Sequence, residues 1–115
     1  MIFNNLPFKN DSHLITKLEL ISLQRTDLLF RLKGIIKNKI KDTEYLEILI
    51  YKGFSSCTTH PTSYEVNEQV LPTNGVIKSV DILKGPLNVK KEEVLIENLM
   101  PSQIKDLNYI NSKFK

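Results

Sequence analysis

"LLFRLKGIIKNKIKDTEYLEILIYKGF", residues 28–54, decides the fold, because its apolar residues recur at every second position over most of its length. Successive side chains of an extended chain point to opposite sides. Leu28, Phe30, Leu32, Ile36 and Ile40 therefore share one side, and Arg31, Lys33, Lys37, Lys39 and Lys41 share the other. This is a strand with a dry side and a basic side. "KDTEY" supplies a turn, and Tyr45 to Phe54 reads as a nearly continuous apolar strand covered on both sides. The two strands make a hairpin. With Asp42 to Glu44 as its loop, Lys41 opposes Tyr45, Lys39 opposes Glu47 and Lys37 opposes Leu49, which sets the basic row beside Tyr45 and Tyr51. A slip of one residue would reverse every face.

Upstream, residues 1–11 lack periodicity and read as an N-terminal arm. Asp11 or Ser12 can cap a helix, whose Leu14, Ile15, Leu18 and Ile21 fall on one side at helical spacing. "KLELISLQ" also suits an edge strand, but the helix is the preferred reading. Downstream, "LPTNG" carries turn chemistry at Pro72 and Asn74-Gly75, and "VIKSVDIL" over Val76 to Leu83 is the next strand. Gly85-Pro86 stops it. A loop follows through "LNVKKEEV", and "MPSQIKDLNYI" reads as a last helix with Ser102 as a candidate cap.

The chain of 115 residues suits one domain, here placed at 12–110 with a frayed tail at 111–115. Its hydrophobic share of 41% and charged share of 25% are those of an ordinary globular protein. Cys57 is the only cysteine, so no intramolecular disulfide forms and a reducing interior is expected. No apolar run approaches the roughly 20 residues of a membrane span, and "MIFNNLPFKNDSH" does not read as a leader. The formal charge of +3 permits an acidic partner without demanding one.

"IYKGFSSCTTHPT", residues 50–62, concentrates the reactive side chains. Nucleophilic catalysis by Cys57 needs a base within reach and a third group to orient it. His13 is the only histidine besides His60, so neither a catalytic constellation nor a metal site is expected, and no cofactor. "GFSS" could cradle an anion, yet it lacks the phosphate-loop pattern, and an ordinary turn is preferred. The basic row is the better candidate. Arg31, Lys33, Lys37, Lys39 and Lys41 with Tyr45 and Tyr51 would combine phosphate contacts with stacking surfaces, as in sequence-tolerant single-strand binding. A solvated sheet face that resists edge aggregation is the competing reading.

Three stretches, "EILIYKGFSSCTTHPT", "VLPTNGVIKSVDILKGPLN" and "VLIENLMPSQI", together resemble a small uncharacterised domain family of cyanobacteria and plastid-containing eukaryotes. The resemblance covers about Leu46 to Ile104, and Lys52, Gly53, Phe54, Ser55, Ser56 and Thr62 with Lys84, Gly85 and Pro86 carry it. It departs at His60 and Leu87, where a basic and an aromatic residue are usual. The resemblance implies no catalytic residue and a setting in a cyanobacterial cytoplasm or plastid stroma. Phe54 is expected to plug the core while Gly53 lets the backbone bend.

The expected fold is α+β: a small twisted antiparallel sheet of three to five strands, or a half-open barrel, with an N-terminal and a C-terminal helix. The expected function is that of a non-enzymatic binding or assembly factor acting on another protein through a sheet face or the GFSS loop. An RNA- or DNA-binding accessory protein using the basic row is the alternative. The sequence leaves the oligomeric state open.

Overall fold

The computed structural model describes residues 8–37, 43–60, 71–72 and 74–114. Helix α1 (Phe8–Gln24) leads into five strands: β1 (Leu28–Lys37), β2 (Thr43–Tyr51), β3 (Phe54–Cys57), β4 (Gly75–Lys84) and β5 (Val94–Leu99). A 3-10 turn (Pro101–Gln103) and helix α2 (Leu107–Lys113) close the chain. The helix preferred for the N-terminal segment is present. It begins at Phe8, ahead of both suggested caps and inside the stretch read as an arm, since Phe8 to Asn10 contain no helix-breaking residue.

The strands form one open antiparallel sheet in the order β3-β2-β1-β4-β5. The sheet is not a barrel. The β1/β2 hairpin exists, but its register differs from the expected one: Lys37 opposes Thr43, Ile35 opposes Tyr45 and Lys33 opposes Glu47. The expected pairing would have set Asn38 against Ile48 on the dry side, whereas the real one sets Leu32 against Ile48 and Phe30 against Ile50. Burying an amide without a partner is costly, so the apolar pairing wins. Because the shift is even, the faces survive. Lys39, Lys41 and Ile40 lie outside the described residues.

Two further expectations need correction. Tyr45 to Phe54 is not one strand covered on both sides: the chain turns at Lys52 and Gly53, and along β2 buried Leu46, Ile48 and Ile50 alternate with more open neighbours. The last helix does not start near Pro101. Asp106 caps it instead, accepting the Tyr109 N–H at 3.0 Å, and it extends to Lys113 into the supposed tail. β5 occupies the stretch that follows the expected loop.

α1 covers only one face of the sheet. Leu14, Ile15, Leu18 and Ile21 pack on Leu28, Phe30 and Leu32 of β1, Leu46, Ile48 and Ile50 of β2, and Ile77, Val80 and Ile82 of β4. Leu99, Ile104 and Ile110 close this core beside the helix. The segment after β5 is tied to α1 by Lys17, whose Nζ donates to the Ile104 carbonyl at 3.0 Å, and by Arg25, which donates to Asn111 and to the Phe114 carbonyl at 2.9 and 2.6 Å. Among the described residues no helix lies on the outer face. Leu29 and Leu83 are buried there, opposite one another in the β1/β4 ladder and outside the main core.

Candidate functional site

The turn between β2 and β3 uses two residues, Lys52 and Gly53, with φ of 51° and 86°. Such positive pairs match the twist of a tight hairpin. Glycine tolerates this conformation freely and lysine does not, so the hairpin benefits from an external hold. α1 supplies it. The Ser22 hydroxyl, fully buried, donates to the Glu19 carbonyl at 2.8 Å and accepts the Gly53 N–H at 2.7 Å. Ser55 donates to the Glu19 carboxylate at 2.6 Å, and a β-carbon on Gly53 would come within 2.6 Å of Leu23.

A two-residue turn also reverses which face each side chain takes. Tyr51 pairs directly with Phe54, so both lie on the outer face, and Phe54 is 80% exposed. Phe54 is therefore not a core plug. Had the strand continued, its even position would have placed it with Ile48 and Ile50.

The second motif meets the first at this corner. Beyond β4 the Gly85 N–H donates to the Asp27 carbonyl at 2.8 Å, and the Gly85-Pro86 peptide is cis. Gly85 lies against the Tyr51 ring with no room for a β-carbon. Lys52 holds its ammonium 5.3 Å from the centre of the same ring, a favourable cation–aromatic arrangement. Tyr51 thus joins Lys52–Ser56 to Lys84–Pro86. Lys84 itself is exposed; Asp27 is held below the ordinary carboxylate range chiefly by its hydrogen bond with Arg25, with a smaller influence from Lys84. Ser56 is exposed on the Phe54 side, and Thr62 lies outside the described residues.

Of the three described members of the basic row, Arg31 and Lys33 are engaged within the sheet. Arg31 reaches Glu92 through two hydrogen bonds of 3.1 and 2.9 Å and stands 3.5 Å from Asp81; Lys33 meets Asp81 at 3.0 Å and Asn98 at 2.8 Å. Asp81, only 3% exposed, also accepts the Asn98 N–H at 2.9 Å. The hydrogen bonds between Arg31 and Glu92 raise the guanidinium and lower the carboxyl from their ordinary values. Lys37 is exposed on the same face. Tyr45 is 54% exposed and donates to Glu47 at 3.1 Å; partial burial first, and the Glu47 charge second, push its phenol up.

Cys57 and His60 do not meet. The buried Cys57 sulfur lies 3.7 Å from the Thr59 hydroxyl, which in turn contacts the His60 ring at 2.9 Å, while the other ring nitrogen meets Glu44 at 2.7 Å. A hydroxyl stands between thiol and imidazole. Ser55 faces a carboxylate, the opposite of what an anion cradle needs. Among the described residues no group of three or more His, Cys, Asp or Glu could hold a metal, and no helix is long and apolar enough to cross a membrane.

Sequence reasoning overlooked Ser22, Glu19, Asp81 and Glu92, which position the hairpin and engage the cations. An acid inside "VIKSVDIL", on a strand able to pair with a basic one, was the available signal for Asp81.

A two-layer α+β domain with one helix-covered sheet face and an exposed aromatic corner is the class these features define. The family described as a domain of unknown function (DUF7734) matches residues 15–108, and the chain belongs to it. No curated protein and no solved structure matches the chain.

Proposed function

We propose that this chain is a non-enzymatic binding or assembly factor whose docking surface is the corner formed by Tyr51, Lys52, Phe54, Gly85 and Pro86. The observation that carries the reading is Phe54, an aromatic side chain 80% exposed on a hairpin that Ser22 and Glu19 anchor to α1. Exposed aromatics on a rigid support make efficient anchors at protein interfaces, because little side-chain freedom is lost on binding. The partner is another protein, and the setting a cyanobacterial cytoplasm or plastid stroma, as the motif resemblance implies. Arg31 and Lys33 already pair with Asp81 and Glu92, which favours a protein partner over RNA or DNA. The motif residues contribute geometry more than chemistry.

The test is affinity capture from a cyanobacterial lysate with the wild-type chain and with Phe54→Ser. A defined protein complex retained by the first and lost by the second supports the proposal. Nothing above background, or the same proteins with both baits, counts against it. A low-salt shift of single-stranded RNA or DNA that weakens steeply with salt and disappears with Lys37→Glu would favour the nucleic-acid alternative.

A further inference from the structure

The helix layer carries a second surface, away from the outer sheet face that presents Phe54. A groove of about 540 Å3 runs beside α1 from His13 to Gln24, and its other wall is Lys105–Leu107, the segment entering α2. Its α1 wall spans three helical turns, about 16 Å, along which a length of chain can lie. Its apolar strip is Leu20 and Leu23, 61% and 55% exposed, with Leu107 half-buried beside them. The core stripe of α1 is already complete without these leucines.

The rim is basic. Lys17 and Lys105 stand on opposite walls and His13 lines one end. Asp106 is the single acid among the described lining residues, and its carboxylate is engaged in capping α2. Lys17 gives one hydrogen bond to the Ile104 carbonyl, joining the two walls, and an ammonium has further donors to offer.

We infer that this groove docks an amphipathic helix of a protein partner, one that brings leucine-sized side chains at three- and four-residue spacing flanked by carboxylates. Charge complementarity fixes the sign: a basic helix would meet Lys17 and Lys105 across the strip, and like charges there repel. Together with the Phe54 corner this gives the chain two docking surfaces on opposite layers, which is what a factor bridging two proteins requires. The groove does not depend on the corner being a binding site.

The test titrates the isotope-labelled full chain with two synthetic helices of about five turns, both with leucines at that spacing, one otherwise rich in glutamate and one in lysine. The glutamate helix should shift the amides of Leu20, Leu23 and Lys105 and bind at least about tenfold more tightly than the lysine helix. Leu20→Glu and Lys105→Glu should each weaken it about tenfold or more while the spectrum remains native-like, since both side chains are exposed. If Leu20→Glu fails to fold, Lys105→Glu carries the comparison. Absence of groove shifts, equal affinity for the two helices, or indifference to Lys105→Glu overturns the inference. So does binding only to phosphatidylglycerol vesicles, which would make the groove a membrane contact.

Discussion

Gly85 lies against the ring of Tyr51, so closely that a β-carbon at Gly85 would overlap the ring edge. These two residues bring together motifs from β2/β3 and from the end of β4. Gly85→Ala should therefore destabilise the fold by about 1–3 kcal/mol, the usual cost of overpacking. In the double variant with Tyr51→Ala, the added cost of the methyl group should disappear. Urea denaturation reads both effects, and an unchanged midpoint for Gly85→Ala would mean that the ring moves aside freely.

At the hairpin tip, Gly53→Ala meets two obstacles: a φ of 86° and Leu23 within 2.6 Å of the new β-carbon. Strained positive φ alone costs about 1–3 kcal/mol. A loss in that range is expected in chemical denaturation. Truncating Leu23 to Ala in the same chain should lessen the steric share and leave the backbone share.

Asp81 is the buried acid of the sheet among the described residues. It faces Lys33 and Arg31 and accepts the Asn98 N–H. Asp81→Ala leaves two half-buried cations and one amide without that carboxylate, so a loss of about 3 kcal/mol is expected. Glu92→Ala, at the solvent-facing end of the same network, should change stability little by comparison. Equal losses in thermal or urea unfolding would contradict this ordering.

Acid should weaken the fold in part through Asp27. Its hydrogen bond with Arg25 holds the folded carboxyl below its ordinary range. The unfolded carboxyl titrates near about pH 4, so the contribution is present above that pH and is lost as pH falls through the lower folded value. Glu92, lowered by Arg31, acts in the same sense. Asp27→Asn should flatten this part of the stability profile between neutral and acid pH. An unaltered slope would show the exposed pair to be too well solvated to matter.

Phe54→Ser should leave folding almost unaffected, within about 0.5 kcal/mol, because the side chain is 80% exposed. A large loss would mean that the ring serves packing, and would remove the main support for a docking role. Thermal unfolding of the same variant used for capture makes this comparison direct.

The alternation in Leu28 to Lys37 was sufficient to assign the dry and open faces of β1, and the helical spacing of Leu14, Leu18 and Ile21 to identify α1. Other features were hidden for physical reasons. Lys-Gly is an uncommon signal for a tight mirror-image turn, which favours Asn-Gly or Asp-Gly; missing it assigned Phe54 to the wrong face. β5 escaped notice because register shifts between Val80 and Ile82 and between Ile82 and Leu83, with Asn98 at φ 58°, break its alternation. Pro101 and Ser102 resembled a helix start, yet they form a 3-10 turn and Asp106 does the capping. The candidate site was legible as a set of motif residues, while their meeting through Tyr51 depends on strand order, which local patterns do not specify.

The amide of Gly53 belongs to a turn, where exchange with solvent hydrogen is ordinarily fast. Here it is bonded to the buried hydroxyl of Ser22. Its proton exchanges when the turn lifts away from Ser22, so the exchange rate of this single amide measures how often the hairpin tip opens from α1. A peripheral loop thereby becomes a clock for the opening of its own anchorage to the helix.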